Sequence, residues 1–270
     1  MTRAALPIGV FDSGLGGLTV VKELTRLLPQ EKIIYVGDTA RVPYGTKSPE
    51  TIRRYAMQIS FFLLQKKVKA IVVACNSVSA VALAALRDLP IPVVGVIEPG
   101  AQAAGLASSA LRVGVIGTKA TVASHAYTKA IKKYSQKIQV FEQACPLLVP
   151  LVEEGWLNHP VTQLLVQEYL KPLLKSRIDT LVLGCTHYPL LKPVLQQVAG
   201  KRVKLIDSGE ATAKEVFTVL RKNNLLNLSP KKVKPNYFVT DNPASFSRLG
   251  NQFLGAAHLS SAKRLSLDFL

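Results

Sequence analysis

Two cysteines of this chain stand at matched places. Residues 70–77 read AIVVACNS and residues 180–187 read TLVLGCTH. In each, a short apolar run ends in a cysteine followed by a polar pair, Asn76-Ser77 in one and Thr186-His187 in the other. Cysteine acts as a base or nucleophile through its thiolate, and a free thiol with a pKa of about 8.5 is only about 3% ionised at pH 7. A helix N-terminus, with unpaired N–H groups and a positive dipole end, favours anions and the thiolate form. A helix is expected to start just after each cysteine. Two acid–base groups of one chemical type suit a nearly symmetric reaction, and inversion of a stereocentre is one. A thiolate removes a proton from one face of a carbon, the opposing thiol delivers a proton to the other face, and the roles exchange in reverse. The carbanion-like intermediate calls for hydrogen-bond donors around a substrate carboxylate. No cofactor is required by this scheme, and the chain carries no motif for one.

Other polar residues fall at similar strand ends. Asp12 and Ser13 follow the apolar run IGVF, placing a carboxylate and a hydroxyl on a glycine-rich turn. That turn is not a dinucleotide fingerprint, because Gly14 and Gly16 are followed by Thr19 where G-x-G-x-x-G needs its third glycine. Asp207 ends the run VKLI in the same manner. The loop GDTARVPYGTKSPE (37–50) centres on Pro43, Tyr44 and Gly45, where the tyrosine hydroxyl and the Gly45 N–H can fix a polar ligand end. Glu153 and Glu154 precede Gly155, where a solvated helix end is the default reading. His187 lies two residues past Cys185 and suits an acid–base partner for that thiol. No metal site is expected: a C-x-H pair falls short of the three or four ligands zinc takes, and His159 and His258 bring no cluster to complete one. Cys145, followed by a proline and lacking polar neighbours, reads as structural.

Something must hold two strand ends toward one carbon, and the hydrophobic pattern supplies it. Near-continuous apolar runs at 7–11, 32–38, 69–75, 91–97, 112–118, 137–143, 179–185 and 202–209 read as strands covered on both faces. Amphipathic stretches alternate with them, such as 16–28, 48–67 and 160–175; the second opens on Ser48-Pro49-Glu50, a helix start signal. The fold class is therefore α/β with mostly parallel sheets, whose ligands sit beyond the carboxyl ends of the strands. Two landmarks recur at nearly one spacing: IGVFDSG at 8 and VGVIGTK at 113 are 113 − 8 = 105 apart, and the cysteines 185 − 75 = 110 apart. Two structurally similar halves follow. A lysine-rich stretch at 221–235 reads as a surface connection.

The chain has 270 residues, 48% of them hydrophobic, enough for one large domain or two ordinary ones and a substantial core. Three cysteines without a C-x-x-C pair form no disulfide framework and are expected as thiols. No apolar stretch reaches the roughly 18 residues of a membrane-spanning helix, and the first residues lack a signal-peptide pattern, so a cytoplasmic protein without membrane contact is expected. Lys and Arg number 34 against 17 Asp and Glu, a net charge of +17 that favours acidic ligands. The basic residues are scattered and read as solvated surface. They also raise a nucleic-acid-binding alternative, against which stand aromatics of only 7% and the lack of a recognition motif.

Taken in order, VFDSGLGGLTVV, GDTARVPYG, ACNSVSA and GCTHYPLL resemble the glutamate racemases, over roughly residues 8–210. The resemblance implies a cofactor-independent two-base racemase acting on L- and D-glutamate and supplying D-glutamate for bacterial peptidoglycan. It implies two pseudosymmetric α/β sandwich domains, 1–97 plus 207–270 and 98–206, with the active site in the cleft between them. By similarity, Cys75 takes the proton from D-glutamate and Cys185 from L-glutamate. Asp12-Ser13, Tyr44-Gly45, Asn76-Ser77 and Thr186-His187 match the family's glutamate-binding pairs. Asp12 and His187 would also assist proton transfer, with Glu153 as an auxiliary acid. Ser77 replaces the family's usual threonine, keeping the hydroxyl and losing a methyl, and Val78 adds bulk. An aspartate racemase or another cofactor-free isomerase shares the thiol chemistry and is the alternative reading. Family members often form homodimers, and some have a second role on a DNA topoisomerase, so nucleic-acid or topoisomerase contact is the alternative of another class.

Overall fold

In a computed structural model of the chain, residues 2–255, 259 and 261–267 are described here. Each apolar run becomes a short strand and each amphipathic stretch a helix. The first half runs β1 (Ile8–Asp12), α1 (Leu18–Leu27), β2 (Ile33–Gly37), α2 (Pro49–Gln65), β3 (Ala70–Val73), α3 (Asn76–Val81), α4 (Leu83–Leu86), β4 (Val93–Gly95) and α5 (Ile97–Ala107). Next come β5 (Arg112–Gly117), α6 (Lys119–Ala123), α7 (Ala126–Tyr134), β6 (Gln139–Ala144), α8 (Leu148–Glu153), α9 (Pro160–Lys175), β7 (Thr180–Gly184), α10 (Lys192–Ala199) and β8 (Lys204–Asp207). The chain ends with α11 (Ser208–Lys222), β9 (Asn236–Val239), α12 (Pro243–Leu254) and β10 (Ala262–Arg264).

The strands form two sheets, ordered β10-β9-β2-β1-β3-β4 and β6-β5-β7-β8, and every pairing is parallel. β1 and β5 hold equivalent central places, as do the cysteine strands β3 and β7 beside them, in register Ile8↔Ala70 and Val113↔Thr180. The 105- and 110-residue repeat thus reflects two sheets of similar build. One buried cluster runs through both halves, from Val10, Leu18 and Leu24 to Val113, Val115 and Leu181. A second, with Phe11, Ile59, Leu63 and Val73, packs α2 on the other face of the first sheet. This two-sided burial explains why the strands lack alternation. Among the described residues, no helix is long and apolar enough to cross a membrane.

Local signals set the boundaries. Ser48 caps α2, its Oγ accepting the Thr51 N–H at 3.2 Å, with Pro49 in the first turn. Two strands end earlier than the apolar runs: 91–97 shortens because Ile97 already opens α5, and 202–209 because Asp207 caps α11 through the Gly209 N–H at 2.8 Å. The two cysteine turns also differ. Asn76 starts α3 with Cys75 at its N-cap, as expected, whereas Cys185 is followed by a 3-10 turn at Tyr188–Leu191 before α10. Pro189 and Pro193 delay the second helix, so the anion-favouring helix start lies beside Cys75 alone.

Candidate active site

The carboxyl ends of β1, β3, β5 and β7 converge on a cavity of about 360 Å³. Eleven of the residues singled out in the sequence line it: Ser13, Pro43, Tyr44, Gly45, Cys75, Asn76, Ser77, Glu153, Cys185, Thr186 and His187. Asp12 lies beneath, fully buried, its carboxylate accepting the Gly14 N–H at 2.9 Å and the Thr186 hydroxyl at 3.4 Å. Both sulfurs sit on strand ends, each only 5% exposed, and each belongs to a different sheet. Cys145 is buried in the core cluster with its thiol on the Gln143 carbonyl at 3.6 Å, outside the cavity lining.

The two thiols have different surroundings. Cys75 donates toward Ser13 Oγ at 3.7 Å. Burial and the nearby Asp12 charge push its pKa up to about 12, against the weaker pull of the Val78 and Ser13 hydrogen bonds. Burial therefore overrides the helix start that the sequence suggested as a thiolate-favouring feature, and Cys75 is a thiol at neutral pH. Cys185 instead has the His187 Nδ1 at 3.8 Å, while Nε2 meets Glu153 Oε1 at 3.1 Å. Burial pulls the His187 pKa down, but the hydrogen bonds and charges of Cys185 and Glu153 outweigh it and raise it to about 10. The ring is an imidazolium at neutral pH, packed edge-on against Phe253 at 5.5 Å. Burial also raises the Asp12 pKa, opposed chiefly by His187. Glu153 is thus no plain solvated helix end: it closes α8 and reaches the histidine.

Around these groups stand donors for an anion. Asn76 is 2% exposed; its carbonyl accepts the Tyr127 hydroxyl at 2.7 Å, and its amide nitrogen is buried without a partner. Ser77 shares a hydrogen bond of 2.9 Å with Thr118, joining the two halves across the cavity. The Tyr44 hydroxyl is committed to the Asp38 carboxylate, so the expected ligand contact there is left to its oxygen lone pairs and to Gly45. Gly16 is a glycine of necessity: a Cβ there would clash with the Thr186 hydroxyl and stand 2.6 Å from His187 Nδ1.

Sequence reading missed Thr118, Lys119, Pro146, Val149 and Pro150, which also line the cavity. Thr118 had a signal, since it follows β5 as Ser13 follows β1 in the 105-residue repeat. The α8 residues Val149 and Pro150 had none. Among the described residues no group of three or more His, Cys, Asp or Glu is placed to hold a metal; His258 lies outside them.

Comparison with known proteins bears on this arrangement. The family model for Asp/Glu/Hydantoin racemase matches residues 8–216. A glutamate racemase of Geobacter metallireducens is 54% identical over 262 residues, 97% of either chain. One of Syntrophus aciditrophicus is 53% identical over 264 residues, again 97% of each. Among solved structures, a glutamate racemase isoform from Bacillus anthracis superposes with a TM-score of 0.94 at 41% identity, covering 97% of this chain and 98% of that one. The Francisella tularensis glutamate racemase in complex with D-glutamate gives 0.91 at 42% identity, covering 98% and 99%. The chain belongs to the Asp/Glu/Hydantoin racemase family, among its glutamate racemases.

Proposed function

We propose that Cys75 and Cys185 are the two acid–base groups of a cofactor-independent racemase interconverting L- and D-glutamate. The observation that carries this reading is the meeting of both thiols, from strand ends of two different sheets, in one cavity. From L-glutamate, the Cys185 sulfur takes the α-proton as the C–H bond breaks. The Cys75 thiol gives its own proton to the opposite face of the carbanion, leaving D-glutamate, a thiol at 185 and a thiolate at 75. The reverse direction exchanges the two. The resting arrangement favours this assignment: burial and Asp12 keep Cys75 protonated, and an imidazolium faces the Cys185 sulfur. In this reading His187, which faces the Cys185 sulfur and is anchored by Glu153, and Asp12 supply and receive the protons that reset the thiols. Ser13, Tyr44-Gly45, Asn76-Ser77 and Thr186 surround the substrate, and the donors among them, the Ser13 and Ser77 hydroxyls, the Gly45 N–H and the Asn76 amide, stabilise the carboxylate on which negative charge grows. That the Francisella tularensis racemase was solved with D-glutamate supports glutamate as the substrate.

The two sheets suggest a division into domains of 1–97 plus 207–270 and 98–206, with the cleft between them. The same reading places the enzyme in the cytoplasm, supplying D-glutamate to peptidoglycan synthesis, and a homodimer is in keeping with the family. Proton NMR of the protein with L-glutamate in D2O, beside a chiral assay, tests the proposal. Loss of the α-proton signal with appearance of D-glutamate is expected. Cys75→Ala and Cys185→Ala should each lower turnover about 10²- to 10⁴-fold, the usual worth of a positioned acid or base. Exchange on aspartate alone would change the substrate, and full activity in either variant would end the two-thiol mechanism.

A further inference from the structure

Tyr127, on α7, stands between the two cysteine turns and is fully buried. Its hydroxyl donates to Asn76 Oδ1 at 2.7 Å, and Asn76 directly follows Cys75. Its ring lies against Gly184, which directly precedes Cys185: a Cβ at Gly184 would come within 3.0 Å of the ring Cε2. On a third side, a Cβ at Gly100 would stand 3.4 Å from the ring Cε1 and from the hydroxyl and 3.2 Å from Ser208 Cβ, so the ring also packs beside α5 and Ser208. One side chain of the second half thus touches the neighbour of each thiol.

The hydroxyl has a second consequence. A carboxamide can turn over, exchanging its acceptor oxygen for its donor nitrogen. While the Tyr127 proton stays on its oxygen, a turned Asn76 would set N–H against O–H, so turning the amide requires the phenol proton to leave it as well. The observed bond thereby leaves the amide nitrogen as the group that remains, buried and unpartnered, at a residue lining the cavity. We propose that Tyr127 is a positioning residue: its ring sets the gap between the Cys75 and Cys185 turns, and its hydroxyl holds the Asn76 amide as a donor to the substrate carboxylate. The inference rests on the two-thiol reading above.

Two variants separate the parts. Tyr127→Phe keeps the ring and loses the hydroxyl; its KM and its calorimetric Kd for D-glutamate should rise about tenfold, the worth of one buried hydrogen bond, with kcat changed less than about threefold. Tyr127→Leu removes the spacer, and its kcat should fall about 100-fold, as for an ångström-scale misplacement of reacting groups. Asn76→Ala should raise the Kd comparably, and adding Tyr127→Phe to it should cost nothing more, because both changes remove one interaction. A tyrosine that merely fills the core would lower the melting temperature and leave Kd and KM in place. An unchanged Kd in Tyr127→Phe, or full additivity with Asn76→Ala, would overturn the assignment, whether or not Tyr127→Leu folds. Because the Kd is read without turnover, failure here is distinct from failure of the racemase reading, which would appear as a wild-type protein that binds D-glutamate and does not invert it.

Discussion

At the scale of single residues, the two thiols are alike in type and unlike in setting, and the difference is electrostatic. Cys75 is kept neutral by burial and a carboxylate, while Cys185 faces a histidine held as an imidazolium. Loss of the His187 proton should appear as a basic limb near pH 10 in kcat/KM for L-glutamate. In His187→Asn that limb should move and kcat should fall by about 10²-fold or more. Stability follows the same proton. The folded-state pKa of His187 lies above its ordinary 6.5, so its contribution is complete below pH 6.5 and is lost as pH rises toward 10. Thermal melts from pH 6 to pH 10 should show a falling midpoint in the wild type and a shallower fall in His187→Asn. Equal slopes would mean that the histidine is not charged in the fold.

At the scale of elements, the turns after β1 and β7 are packed against each other with no room to spare. Gly16 admits the Thr186 and His187 side chains where a methyl group would stand, and the Thr19 hydroxyl donates to the Thr186 carbonyl at 3.2 Å. Gly16→Ala should therefore push His187 off Cys185. Overpacking of about 1–3 kcal/mol is expected, with a melting point lower by several degrees and kcat/KM reduced about 100-fold. A variant with wild-type kinetics would show that the two turns slide freely. This packing also marks how far the sequence could be read. The strand ends at Asp12, Cys75 and Cys185 were legible because parallel sheets bury both faces and break at polar residues. Thr118 was within reach through the repeat. Tyr127 was not: nothing about a tyrosine in AYTKAIKKY tells that its hydroxyl reaches a residue 51 positions back. The sequence points to a thiolate-favouring helix start after each cysteine and leaves the resting protonation of each thiol open, because dipole and burial oppose each other at Cys75 and only the fold reveals how deep the sulfur lies.

At the scale of the whole molecule, the site occupies the carboxyl ends of the strands, and a different device secures the opposite edge of the first sheet. Lys69 precedes β3 and Glu31 precedes β2; their side chains are wholly buried and paired at 2.5 Å. Lys69 also donates to the carbonyls of Ala4 at 2.6 Å and Leu225 at 2.8 Å. Glu31 accepts the Asn227 N–H at 2.8 Å. Four stretches far apart in sequence thus meet at one ion pair, which ties the segment after α11 back under β1, β2 and β3. A buried pair of this kind adds little over an apolar substitute, yet losing one partner strands the other charge at a cost of about 3–5 kcal/mol. Lys69→Met should therefore lower the unfolding free energy by about that amount, measured by urea titration. Its kcat below the melting transition should stay near the wild-type value, because no atom of the pair lines the cavity. Glu31→Leu added to Lys69→Met should recover part of the loss by removing the stranded carboxylate. If Lys69→Met instead kept its stability and lost kcat, the two edges of the sheet would be coupled, and closure of the cavity would depend on how the chain beyond α11 is tied down.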